Sequence, residues 1–135
     1  MIQLWQGLHD YFANNVATAA LRALLSGGLH NLLAPENVSY PYAVFQVVDI
    51  TPDNFASAKN FVENCLIQFN LFSDASSMVS LLNIYDKFVE SFDFCEALVV
   101  ASYTVLSCVR EGTIQAEQIK GIWQLNITYR VKLRP

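Results

Sequence analysis

Two histidines, three cysteines and one short run of carboxylates are the residues that could do chemistry in this chain of 135 residues. His9 and His30 would each need a second His, Cys or acid cluster at ligand spacing to share a cation. Neither has one, so no metal centre is expected. Cys65, Cys95 and Cys108 are odd in number, widely spaced and set in apolar runs, which reads as buried reduced thiols. Asp86, Glu90, Asp93 and Glu96 form an acidic patch at the end of a helical pattern. Asp86 and Glu90 stand at i,i+4, where like charges repel and favour solvent over the paired proton traffic of general acid–base catalysis. There is no Gly-x-Ser-x-Gly elbow and no dinucleotide turn, and Gly27-Gly28 lacks the following Lys-Ser/Thr of a phosphate loop. The chain is not expected to be an enzyme or to carry a cofactor.

The elements that would position these groups are legible from periodicity. Leu4, Leu8, Phe12 and Val16 recur every four residues, and Ala20, Leu21, Leu24 and Leu25 continue the face, which predicts helix with a break near Asn14-Asn15. Ser26-Gly27-Gly28 ends it, and Leu29 to Asn37 reads as an irregular crossing. Tyr40-Pro41-Tyr42 then opens a strand: Pro41 fixes its own φ, pushes Tyr40 extended and has no N–H to donate, so the ladder starts near Tyr42 and runs to about Ile50. A second strand is expected from Phe61 to Phe72, closing a long hairpin whose tip is Thr51 to Asn60. Ser73 or Asp74 would cap a helix with Met78, Leu81, Leu82, Tyr85, Phe88, Val89 and Phe92 on one face. A third strand is expected from Ala97 to Arg110, then a polar connection from Glu111 to Gly121. The last strand alternates most cleanly, with Trp123, Leu125, Ile127, Tyr129, Val131 and Leu133 opposed to Gln124, Asn126, Thr128, Arg130, Lys132 and Arg134. The expectation is one α+β domain over residues 1–135, of order α-β-β-α-β-β, with a mostly antiparallel four-stranded sheet and helices on one face.

Composition points to self-association. Hydrophobic residues make up 53% of the chain and charged residues 15%, against roughly 25% charged in ordinary soluble domains. No run approaches the ~18 apolar residues of a membrane helix, so the surplus apolar surface is expected to lie in subunit interfaces. The amino terminus lacks the basic region of a secretion signal, which predicts residence in the cytoplasm. Residues 1–117 hold all twelve acids and four of the eight Lys and Arg; residues 118–135 hold the other four bases and no acid. A net charge of −4 disfavours a dedicated nucleic-acid binder, while the basic last strand offers a charge complement for the acidic body of a neighbouring copy.

The order helix, irregular crossing, Tyr40-Pro41-Tyr42-Ala43-Val44-Phe45-Gln46, long hairpin, and Gln68-Phe69-Asn70-Leu71-Phe72-Ser73-Asp74 leading into an amphipathic helix resembles the tail-terminator and tail-completion proteins of long-tailed bacteriophages. Gly121-Ile122-Trp123 opening the last strand adds support, and the apolar, Cys-containing third strand is a departure. The resemblance implies a virion structural protein at the head-tail junction, present in the host cytoplasm before assembly. It implies a ring, typically of six copies, that caps the tail tube, ends its polymerisation and joins it to the head-side connector. Partners would be other copies of the chain, the tail tube protein, the connector or adaptor, and DNA passing through the lumen. Terminator and connector-side completion roles place the same physical demands on the chain.

Within that expectation, Arg130, Lys132 and Arg134 would form either a subunit contact against Asp86, Glu90 and Asp93 of a neighbour or part of a lumen wall. Pro52, Asp53, Asn54, Phe55 and Lys59 on the first hairpin tip, and Glu111, Glu117 and Lys120 on the polar connection, would meet stacked rings. The competing reading is a small α+β ligand-binding module or enzyme, with Tyr103 or Asp49 lining a pocket between helices and sheet; another head-to-tail accessory protein is the nearer alternative.

Overall fold

Strict alternation makes the last strand the template on which the sheet is built. In the computed structural model, which describes residues 1–54 and 61–135, the chain runs through α1 (Ile2–Asn14), a 3-10 turn (Val16–Thr18), α2 (Ala19–Leu24), β1 (Leu29–Asn31), β2 (Tyr42–Asn54), β3 (Phe61–Ser73), α3 (Val79–Phe92), β4 (Thr104–Ile119) and β5 (Ile122–Arg134). Strand order is β1-β2-β3-β5-β4. The four long strands are antiparallel to their neighbours, while β1 pairs parallel with β2 over Ala43–Phe45.

The fold is thus mixed α and β with helices packed on one face, and the expected four-stranded sheet is corrected to five strands, one of them parallel. Leu29-His30-Asn31 carries no alternation of its own. It becomes a strand because Gly28, at φ +81, turns the chain so that Leu29 lies beside Ala43, and Leu32, at φ +65, ends it. Asn15 breaks the first helix as expected: its backbone is extended and its side chain accepts the Ala17 N–H at 2.8 Å.

Three further boundaries differ from expectation. Ser73 is the buried last residue of β3 and its hydroxyl accepts the Ala75 N–H at 3.3 Å, so α3 starts later, at Val79, after a polar turn with no side-chain cap. The third strand starts at Thr104, not Ala97; residues 97–103 form turns pinned by buried Leu98 and Val100. Finally, Glu111 to Ile119 is strand, not connection. An outermost strand carries polar residues without breaking, and the hairpin closes in only two residues, Lys120 at φ +52 and Gly121 at φ +82, the geometry of a tight primed turn. In the same way β2 continues through Thr51, Pro52 and Asp53, opposite Asn64, Glu63 and Val62. Because β1 covers only residues 43–45, the outer edge of β2 is unpaired there and Pro52 costs no ladder bond.

One apolar core joins the helices to the sheet. Leu4, Leu8, Tyr11 and Phe12 of α1 and Leu81, Ile84, Phe88 and Phe92 of α3 meet Phe45, Ile67, Phe69, Leu71, Ile127, Tyr129 and Val131 of the sheet. The strand start at Tyr42 is where expected. The Tyr40-Pro41 bond is cis, the Pro41 carbonyl accepts the Gly27 N–H at 2.9 Å, and Tyr42 stacks on Phe72 with ring centroids 4.9 Å apart.

Candidate functional site

Alternation places one row of β5 in the core and the other on the far side of the sheet, where no helix packs. Register aligns that second row with β3 and β2: Thr128 opposes Gln68, which opposes Gln46, and Asn126 opposes Asn70. Gln46 Nε2 donates to Gln68 Oε1 at 3.2 Å, and Gln68 Nε2 to Asn70 Oδ1 at 3.3 Å. The centre of this face is a half-buried ladder of neutral amides, with Asn126 Oδ1 shielded and without a hydrogen-bond partner among the described residues. At one end the 32–40 segment overhangs it, forming a cleft of about 350 Å³ with Tyr42, Val44, Asn70 and Phe72.

Arg130 anchors the other end. Its guanidinium takes Glu111 of β4 in a two-point ion pair and donates to Asn64 Oδ1 of β3 at 2.7 Å, while Asn64 Nδ2 donates to Asp53 Oδ2 at 3.1 Å. Hydrogen bonding from Arg130 holds the Glu111 carboxyl below its ordinary range. A depressed carboxyl pKa contributes stability above its unfolded value, which is lost as pH falls through the folded value. With both groups partly in solvent the contribution is small. Arg130→Ala should cost about 0.5–1 kcal/mol near neutrality, and comparison of urea midpoints should show the difference from wild type shrinking as pH falls through the carboxylate range. An equal difference at acid pH would remove the ion pair as its cause.

The predicted contact residues divide accordingly. Lys132 is half-buried and Arg134 exposed at the end of β5, with no ion-pair partner among the described residues, whereas Arg130 is committed within the chain. On the opposite, helical side Asp86 is exposed, Glu90 pairs with Lys87 at 3.2 Å, and Asp93 accepts Tyr129 Oη at 2.6 Å and pairs with Arg110 at 3.4 Å. Burial, reinforced by Asp93, keeps the Tyr129 phenol protonated far above its usual range. Sequence patterning cannot expose such a link, because Asp93 and Tyr129 meet only through the packing of α3 on β5. The basic and acidic groups lie on opposite faces, so they could meet only between copies.

Of the predicted stacking residues, Pro52, Asp53 and Asn54 end β2, Glu117 lies near the end of β4, and Lys120 sits in the closing turn; Phe55 and Lys59 lie outside the described residues. Glu111 is a mid-strand partner of Arg130 and not a loop residue, because β4 does not stop at Arg110. Since Ser73 pairs with Trp123 and Glu63 with Leu133, the Asn54 and Phe61 ends of β2 and β3 and the 120–121 turn are at opposite ends of the sheet.

The strongest signal missed in the sequence is apolar and lies at the two lateral edges. Beside β1 and the open part of β2, Ile2, Leu32, Leu33, Val48 and Ile50 are exposed, and a cleft of about 460 Å³ is lined by Met1, Ile2, Trp5, Asn31, Leu32 and Val47. Beside β4, Phe94, Leu106 and Val109 are exposed around a cleft of about 310 Å³. Tyr103 and Asp49, the polar lining expected of a ligand pocket, line none of these three clefts. His30 Nε2 contacts the Gly27 carbonyl at 2.7 Å, His9 pairs loosely with Asp10, and no cluster of three His, Cys, Asp or Glu able to hold a metal occurs among the described residues.

Against known proteins, no family model and no curated protein matches the chain. Among solved structures, a chain of the "virion of native gene transfer agent (GTA) particle" superposes at TM-score 0.72 and 13% identity, covering 98% of this chain and 92% of that one. The two chains share one fold over nearly their whole lengths. A second solved chain, of no stated function, matches at TM-score 0.56 and 14% identity over 100% of this chain and 96% of the other. At such identities the likeness is one of fold.

Proposed function

We propose that this chain is a structural virion protein, without enzymatic activity, that assembles with copies of itself into a ring at the end of a phage-type tail, closing the tube and joining it to the head connector. The observation that carries the reading is the full-length fold shared with a chain of a virion particle, at TM-score 0.72 over 98% of this chain. Three features of the surface support it. Apolar side chains are exposed at both lateral edges of one sheet, which suits a heterologous contact in which the β4 edge of one copy meets the β1–β2 edge of the next. Hairpin ends at opposite ends of the sheet give one surface for the tail tube protein and one for the connector. The centre of the face between them is neutral amide and carries little charge to grip DNA in transit.

In this reading Lys132 and Arg134, assisted by Arg130, supply the charge contact with Asp86, Glu90 and Asp93 of a neighbour, and Pro52, Asp53, Asn54, Glu117 and Lys120 supply stacking contacts. Because Arg130 serves the chain's own fold, the informative variant is Lys132→Glu with Arg134→Glu. It should fold, by circular dichroism, and fail to cap tails or form rings in an assembly reaction. Rings of normal size and yield would sink the charge contact and leave the apolar edges as the subunit interface.

A further inference from the structure

Two buried thiols lie close together at the β4 edge, in the cleft beneath the apolar patch assigned above to a subunit contact. Cys95 follows α3 and Cys108 lies in β4, with exposures of 6% and 3%. The Phe94 N–H donates to the Cys108 carbonyl at 2.9 Å, which fixes the turn carrying Cys95 against the strand. The Cys108 thiol donates to the Phe92 carbonyl at 3.3 Å. The two side chains line the cleft of about 310 Å³ together with Phe94, Glu96, Leu106 and Val109, so a molecule little larger than water can reach them. Donation by Cys95 holds the Cys108 thiol below its ordinary pKa despite burial and the nearby Asp93 charge, and the same contact raises Cys95. A thiolate-prone sulfur beside a protonated one is the arrangement of an attacking and a resolving cysteine.

We propose that Cys95 and Cys108 are a modification site for small peroxides, which convert them to an intrachain disulfide. The Cys108 thiolate attacks one oxygen of hydrogen peroxide; the O–O bond breaks, a sulfenic acid forms, and the departing hydroxide takes up the proton that Cys108 released, giving water. The Cys95 sulfur then attacks the sulfenic sulfur. The S–S bond forms as the S–O bond breaks, and the Cys95 proton leaves with the hydroxide as a second water. Two electrons pass from the sulfurs to the peroxide. The bond ties the end of α3 to the outermost strand across the 96–107 segment, and by restricting the unfolded chain raises the folded-to-unfolded ratio roughly 100-fold. Cys65 is the internal control: wholly buried in β3, with its thiol pushed up to about 11 by burial, it has no sulfur partner and stays reduced.

The test is brief treatment of the native full chain with hydrogen peroxide, a catalase quench, then unfolding in iodoacetamide and intact-mass measurement. Of the three thiols, one should be alkylated, and peptide mapping should join Cys95 to Cys108. Cys95→Ser should halt at a sulfenic acid on Cys108 that dimedone traps, while Cys65→Ser should leave the cross-link intact. If a variant fails to fold, the wild-type mass decides by itself. Three alkylated thiols, or a bond that includes Cys65, would overturn the proposal.

Discussion

Replacing Phe69 with alanine should destabilise the chain by about 3–5 kcal/mol, the largest loss expected from any single truncation. The ring of Phe69 sits on β3 where helix and sheet meet, with centroids 4.7 Å from Phe88, 5.1 Å from Phe92, 5.8 Å from Tyr129 and 6.0 Å from Phe45. Truncation removes the apolar transfer energy and leaves a cavity that four large rings cannot collapse to fill. Since small domains are stable by only about 5–15 kcal/mol, the variant should lose much of its margin, seen as a lower urea midpoint with an unchanged slope. Phe94→Ala is the control, because Phe94 is 71% exposed and should change stability by less than about 0.5 kcal/mol. Similar losses for the two would contradict the placement of the core.

Gly27→Ala should cost about 3 kcal/mol, by overpacking where the surroundings are backbone. A Cβ there would lie 1.9 Å from the Ser39 carbonyl oxygen and 2.7 Å from Tyr42 Cβ. Relief would require moving the segment that opens β2, which Gly27 holds through the Pro41 carbonyl and Ser26 through the Tyr40 carbonyl at 3.1 Å. Damage should therefore centre on the start of the sheet. Hydrogen exchange should show the Ala43 amide, bonded to the Gly28 carbonyl at 3.0 Å, losing protection before amides of the β3–β5 ladder. Gly121→Ala gives the contrast: φ is +82 but nothing lies within 4 Å, so only backbone strain of about 1–2 kcal/mol applies. A smaller loss at Gly27 than at Gly121 would rule out close docking of the Gly27 turn.

How much of this was legible in the sequence depends on whether the pattern is local. The alternation of β5, the four-residue spacing of α1 and the aromatic face of α3 are short-range signals, and each placed its element. The Tyr40-Pro41-Tyr42 start held for the same reason, since proline fixes the strand boundary by its own covalent geometry. β1 was not legible, because Leu29-His30-Asn31 is strand only by virtue of β2 beside it. The 97–103 turns were hidden by a β-branched and aromatic composition that reads as strand, although Leu98 and Val100 are buried as anchors. At the candidate site, residue types on β5 were legible and their partners were not. Arg130 with Glu111, and Asp93 with Tyr129, are contacts between strands or layers, which single-chain periodicity does not encode. The lateral apolar patches escaped notice because their members come from five separate segments.

Assembly of the chain with itself is the central claim, and its most direct test is the solution mass of the purified protein by light scattering over a concentration series, with electron microscopy of the same sample. The expected result is a closed ring at a fixed multiple of the 15.2 kDa chain, formed by the chain alone or on addition of tail tubes. A particle of single-chain mass at every concentration, unchanged when tail tubes are present, would contradict it.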